Sequence, residues 1–198
     1  VPFLDIYLNS SPLLGNDAIK QLLPHRTPFL FIESLLSFKH RPNPSIIAKY
    51  PIQDCDTIYS DIIKKRLWPP FNIVEGLGQC CNLLIVLSTI EKRLKKAGYD
   101  TNNMDEILGG LREKRNDSLT KMITESLKDN FKGISSRIDL MGSIDIEVLG
   151  MVEKGQVIFY DVLQRQTFKI LSHFTTCAYV NKKVVARGTL IGARKERL

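Results

Sequence analysis

Among the side chains of this sequence able to move protons or make directed hydrogen bonds are two carboxylates and one amide, Asp61, Glu75 and Gln79. Glu75 and Gln79 lie four residues apart, so a helix would place both on one face. Glu75 stands in an apolar run, where an unpartnered carboxylate is costly to bury. It must therefore meet a hydrogen-bond donor, solvent or a reacting ligand. If Asp61 came close to Glu75, the two charges would push one pKa upward and form an acid–base pair; the plainer reading of Asp61 is a polar loop residue. The three histidines, His25, His40 and His173, and the four cysteines, Cys55, Cys80, Cys81 and Cys177, include no C-x-x-C and no zinc-ligand spacing. No metal and no cofactor is expected. The cysteines read as buried, reduced thiols. His40 reads as solvated in a polar loop between Lys39 and Pro44.

The chain that must position these groups has 198 residues, is 43% hydrophobic and 25% charged, and has a formal net charge of +7. That length suits one domain carrying an insertion, with enough chain to bury a core without disulfide or metal staples. The composition excludes a disordered or collagen-like chain. No uncharged apolar run reaches the length of a membrane span, the longest candidate being residues 80–90, and the first residues lack a basic leader pattern. A soluble, cytoplasmic protein with no membrane contact is expected. The positive charge implies an acidic partner. Nucleic-acid binding would require basic residues interleaved with stacking aromatics in a recognised module. Trp68 and Phe71 lie near Lys64, Lys65 and Arg66, but no such module is present, so no nucleic acid is expected.

Asn16 and Asp17 predict an N-terminal cap for a short helix over 18–23, broken by Pro24 and Pro28. Residues 29–38 and 45–50 predict strands, and 51–70 an irregular stretch. Residues 71–96 predict a long helix, apolar on most faces in its first half and charged in its second, ended by Gly98. Charged residues of both signs across roughly 97–132 predict a solvated amphipathic insertion, with helices over 104–115 and 118–130. Strands follow over 144–148, 157–163, 169–179 and 184–193, separated by turn signals at 153–155, 165–166 and 181–183. This order describes an α+β domain.

Two stretches resemble the β-hydroxyacyl-ACP dehydratases, hotdog-fold lyases of fatty acid biosynthesis. Residues 19–32, Ile-Lys-Gln-Leu-Leu-Pro-His-Arg-Thr-Pro-Phe-Leu-Phe-Ile, match the family's opening I-x-x-L-L-P-H-R-x-P-F-L pattern, and Glu75 and Gln79 keep its E-x-x-x-Q spacing. The resemblance implies a hotdog fold: a curved antiparallel sheet around a long central helix, with a helical insertion at about 97–132. It also implies a dimer, with itself or a related subunit, and an acyl-ACP or acyl-CoA ligand. It makes His25 a structural histidine held by a capping or core hydrogen bond.

The same resemblance shows what has changed. In the family a His abstracts the α-proton, an acid on the central helix protonates the leaving hydroxyl, and a Gly N–H stabilises the thioester carbonyl. Laid on the family's His motif without gaps, Asp61 stands in the His place and Pro70, which has no N–H, in the Gly place; Glu75 keeps its own. The implied protein is a diverged, catalytically degenerate acyl-thioester binder. The alternative is a thioesterase or residual dehydratase using Asp61 and Glu75. Trp68, Pro70, Phe71 and Gln79 are the expected substrate-binding residues. Lys64, Lys65 and Arg66 are the expected carrier-binding residues, with Arg194, Lys195 and Arg197 a second basic run.

Overall fold

The structure, a computed structural model, describes residues 6–7, 10–40, 42–62, 64–102, 104–113 and 137–196. Among them the chain forms three helices and nine strands. In order these are α1 (Asn16–Leu22), β1 (Ser34–Lys39), β2 (Ser45–Pro51), β3 (Ile58–Ser60), β4 (Lys65–Trp68), α2 (Pro70–Lys96), α3 (Met104–Arg112), β5 (Arg137–Val148), β6 (Val152–Glu153), β7 (Val157–Phe168), β8 (Leu171–Val180) and β9 (Lys183–Glu196). One antiparallel sheet has the order β1-β2-β7-β8-β9-β5, and β3-β4-β6 form a smaller one. The long helix α2 packs against the larger sheet, touching β7, β8, β2, β5 and β9. This is the α+β hotdog arrangement the resemblance implies.

Helix α2 starts and stops where local chemistry dictates. Pro70 sits in its first turn, where a missing N–H costs no helical bond. At the other end Gly98 takes φ +85°, open to glycine without a Cβ penalty. Its N–H donates to Lys95 O, and the Tyr99 N–H to Leu94 O, which closes a Schellman motif. Between these ends Ile73, Leu77, Cys80, Leu83, Leu84, Leu87 and Ile90 are buried. Each fully buried aliphatic side chain contributes roughly 1.5–3 kcal/mol. By length and composition alone α2 could cross a membrane, yet its most apolar stretch is 67% buried inside the domain, as suits a core helix.

Aromatic packing fixes the helix against the sheet. Phe31 meets Trp68 edge-on at 5.4 Å and Tyr50 edge-on at 5.9 Å, and Tyr50 stacks on Trp68 at 5.8 Å. Tyr160, fully buried on β7, drives its ring into the notch left by Gly76 of α2, where a Cβ would collide with the Tyr160 hydroxyl and ring.

The structure corrects several local expectations. Helix α1 begins at Asn16 behind Gly15, and neither Asn16 nor Asp17 caps it through a side chain. Strand β1 begins only at Ser34; Leu30, Phe31 and Ile32 are buried in extended chain outside any strand. The stretch 51–70 is not irregular: it holds a 3₁₀ turn (Asp54–Asp56), β3 and β4. Residues 165–166 form a bulge within β7, and the hairpin turns instead at Lys169, φ +53°. The turn at Asn181-Lys182 is as expected, with both residues at positive φ, as a two-residue hairpin requires.

Helix α3 ends at Arg112 and is amphipathic: Met104, Ile107 and Leu108 join the main core, while Asp105 and Glu106 are exposed. The helix expected over 118–130 lies outside the described residues. Cys80 and Cys81 are buried and free as expected, but Cys177 is half-buried and Cys55 exposed. His40 is largely buried beside Phe38, its Nε2 3.9 Å from Oε1 of Glu91, rather than solvated.

The Gly76 notch yields a direct test. Gly76→Ala forces overpacking against Tyr160, expected to destabilise the chain by about 1–3 kcal/mol. A urea unfolding midpoint unchanged by the substitution would refute that packing.

Candidate functional site

The site is built on the first turns of α2. Gln79, 1% exposed, uses its whole amide. Its Oε1 accepts the Phe31 N–H at 2.9 Å, while its Nε2 donates to Phe29 O at 2.7 Å and to Glu75 Oε1 at 2.9 Å. The Phe31 N–H can only donate, so the amide orientation is fixed by the network. Gln79 therefore ties the loop 29–31 to the helix and holds Glu75 one turn away. It was expected to bind substrate; its polar atoms are instead spent on the backbone and on Glu75.

Glu75 also faces His25, whose Nε2 lies 3.5 Å from Glu75 Oε1. The loop carrying His25 is pinned by Arg26, which donates to Leu23 O at 2.8 Å and His25 O at 2.6 Å. The capping or core hydrogen bond expected of His25 is replaced by this approach to Glu75, since its buried Nδ1 has no hydrogen-bond partner among the described residues. Burial pushes the His25 pKa below its usual 6.5; the Glu75 carboxylate opposes that shift and Arg26 adds to it. This juxtaposition spans fifty positions of chain, and no periodicity or local motif signals it.

Glu75 lies on the wall of an open, apolar cavity of about 510 Å³, with Phe29, Phe31, Phe71, Val74 and Ile144. Phe71 thus lines the cavity. Trp68 does not: it is 2% exposed, within the Phe31–Tyr50 aromatic cluster behind that wall. Pro70 is the exposed first residue of α2. It offers no N–H there, and the Asn72 N–H is already donated to Pro69 O at 3.0 Å.

The remaining expected residues lie apart from Glu75. Asp61 is exposed in the turn between β3 and β4, and no bond or ion pair joins it to Glu75 within one chain. Lys64 is exposed on the same turn, at φ +54°. Lys65 and Arg66 are not free cations: Lys65 pairs with Glu153 at 2.7 Å, and Arg66 with Asp54 at 3.2 Å. Lys154 also pairs with Asp54, at 2.9 Å, and the two cations hold the Asp54 carboxyl below the usual carboxylate range. The side chains of the second basic run, 194–197, lie outside the described residues. Among the described residues, no cluster of His, Cys, Asp and Glu could hold a metal ion.

The His25 shift has a sign that can be measured. A histidine with a depressed folded pKa binds more protons in the unfolded chain, so it costs stability as pH falls from above 6.5 through the folded value. His25→Gln is expected to remove part of the acid-side decline, read as urea midpoints between about pH 7.5 and about pH 5. Parallel curves for the two proteins would contradict the burial argument.

No protein-family profile matches the chain. The 3-hydroxyacyl-[acyl-carrier-protein] dehydratase FabZ of Chlamydia trachomatis is 29% identical over 90 residues, 45% of this chain and 58% of that protein. The FabZ of Anaeromyxobacter sp. is 30% identical over 80 residues, 40% of this chain and 49% of that protein. The matched stretches thus span about half the length of these relatives.

Among solved structures, the dehydratase heterocomplex ApeI:P from Xenorhabdus doucetiae aligns with a TM-score of 0.54 at 10% identity, covering 95% of this chain and 93% of that one. A sigma28-regulated virulence protein from Campylobacter jejuni aligns with a TM-score of 0.55 at 7% identity, covering 93% and 96%. At such identities these structures share the fold alone. The fold is that of the hotdog proteins, and the sequence resembles the hydroxyacyl-ACP dehydratases among them.

Proposed function

We propose that the chain is a dehydratase-like acyl-thioester-binding protein, diverged at its catalytic positions, that works as a subunit of a homodimer or of a heterodimer with an active partner. One observation carries this reading: Glu75 keeps the helix-acid position on the wall of an apolar cavity, held there by Gln79. An acyl chain is an apolar ligand with one polar end, and the cavity offers apolar walls with one carboxylate. Asp61 and Pro70 replace the groups that would abstract the α-proton and donate to the thioester carbonyl. Loss of one oxyanion donor alone costs roughly 10²–10³ in rate.

Pairing is supported by exposure. Phe29, Phe71 and Ile144 leave the cavity's rim apolar and open, and Val148, Leu149 and Met151 continue an exposed apolar strip at and beyond the end of β5. Strand β5 ends the larger sheet. A second subunit over this region would close the cavity and could bring a histidine to Glu75. That a dehydratase of the same fold exists as a heterocomplex in Xenorhabdus doucetiae supports such an arrangement. The charge of +7 suits an acidic acyl carrier, with Lys64 the cation best free to meet it. Four free cysteines suit a reducing, cytoplasmic setting.

The alternative is a hotdog-class thioesterase in which a carboxylate activates water. Glu75 on the cavity wall favours it; exposed Asp61 does not. The chain purified alone is expected to bind a long-chain acyl-pantetheine thioester by calorimetry. Val74→Asp should weaken that binding by at least about tenfold, because it places a charge on the apolar wall. Hydration of an enoyl-ACP should stay at background. Robust hydration by the chain alone would overturn the degenerate reading, and absence of any thioester binding the acyl reading. Thioester hydrolysis lost in Glu75→Ala would favour the alternative.

A further inference from the structure

The pair His25 and Glu75 is not used by the reading above, which treats Glu75 as the carboxylate of the site and rests on its place in the cavity. The geometry around it is more specific. Two groups converge on one oxygen of Glu75: Gln79 Nε2 at 2.9 Å and His25 Nε2 at 3.5 Å, both on Oε1. Oε2 accepts no hydrogen bond from the described residues. The loop bearing His25 is fixed on both sides of the imidazole, by Arg26 on the backbone at 23 and 25 and by Gln79 on the backbone at 29 and 31. The imidazole Nδ1 is buried with no partner among the described residues, so Nε2 is the nitrogen through which His25 can act.

We propose that His25 is a positioning residue for Glu75: its Nε2–H and the Gln79 amide anchor Oε1 together, leaving Oε2 as the oxygen that takes or gives a proton at the cavity wall. The arrangement supplies, within one chain, an imidazole beside the helix carboxylate, although no histidine stands at position 61. A 3.5 Å approach is long for a hydrogen bond, and catalytic hydrogen bonds commonly tighten when a ligand enters. Burial keeps the imidazole neutral near pH 7, which suits a neutral N–H donor. The charged and titratable groups bearing on the pair are Arg26 beside His25, and Tyr160, which faces Glu75 from β7.

The test reads the pair directly in the folded chain, without a ligand. The carboxyl ¹³C resonance of Glu75, assigned with Glu75→Gln, is followed against pH. In the wild type it should show a second inflection as His25 titrates, and His25→Gln should abolish it. Reciprocally, Glu75→Gln should lower the His25 midpoint, followed by ¹⁵N shifts of the imidazole, because the carboxylate that favours its charged form is gone. A single-step Glu75 curve unchanged by His25→Gln, or a His25 midpoint unmoved by Glu75→Gln, overturns the pairing. The reciprocal measurement decides the matter if His25→Gln does not fold. Coupled titration in a chain that binds no thioester supports the pairing while removing the acyl reading, so the two failures are distinguishable.

Discussion

One buried amide holds this molecule's site together. Gln79 lies inside the central helix, where an unsatisfied side-chain amide would cost about 1–3 kcal/mol or more, and it satisfies itself by gripping the loop 29–31. That grip explains why Phe31 pairs with no strand: its N–H is given to a side chain instead of a sheet, and the chain joins β2 only at Glu33, whose N–H donates to Lys49 O. It places Phe29 and Phe31 as two walls of the cavity, and its second amide hydrogen orients Glu75 on a third. The helix, the loop and the carboxylate thus meet at one hydrogen-bonded group, with His25 approaching the same carboxylate oxygen.

The sheet supplies the counter-surface. Tyr160 reaches into the Gly76 notch one residue from Glu75, so the spacing between α2 and β7 is set beside the site. Trp68, carried by β4, packs behind Phe31 and against Tyr50, backing the cavity wall with a rigid aromatic cluster. Core packing at crystal-like density transmits such constraints, because a side chain of this size has no room to shift.

Much of this was legible in the sequence, and what was hidden has physical reasons. The long helix was readable because its apolar faces and Gly98 act locally. The later strands were readable because alternation and turn residues are local too. The first strand was misplaced by four or five residues because apolar content alone cannot say whether a backbone N–H goes to a strand or to Gln79. The resemblance suggested Trp68 as a substrate-binding residue, yet it packs with Phe31 and Tyr50 from distant chain. Lys65 pairs with Glu153 across the small sheet and Arg66 with Asp54 of the 3₁₀ turn, which a charge count does not show. The charged texture after residue 97 concealed Met104, Ile107 and Leu108, whose burial depends on tertiary packing. Glu75 and Gln79 were singled out by the family resemblance; the approach of His25 to them was not legible, since only the folded loop brings it there.

The central claim is that Gln79 is the clip from which the site is hung, and amide hydrogen exchange at Phe31 tests it most directly. In the wild type the Phe31 N–H is donated to Gln79 Oε1 at 2.9 Å and should be protected. In Gln79→Met, which keeps the shape but removes the acceptor, Phe31 should exchange on the order of tenfold faster, while the amides of Leu83 and Leu84 further along α2 keep their protection. Equal protection of Phe31 in both proteins would contradict the account.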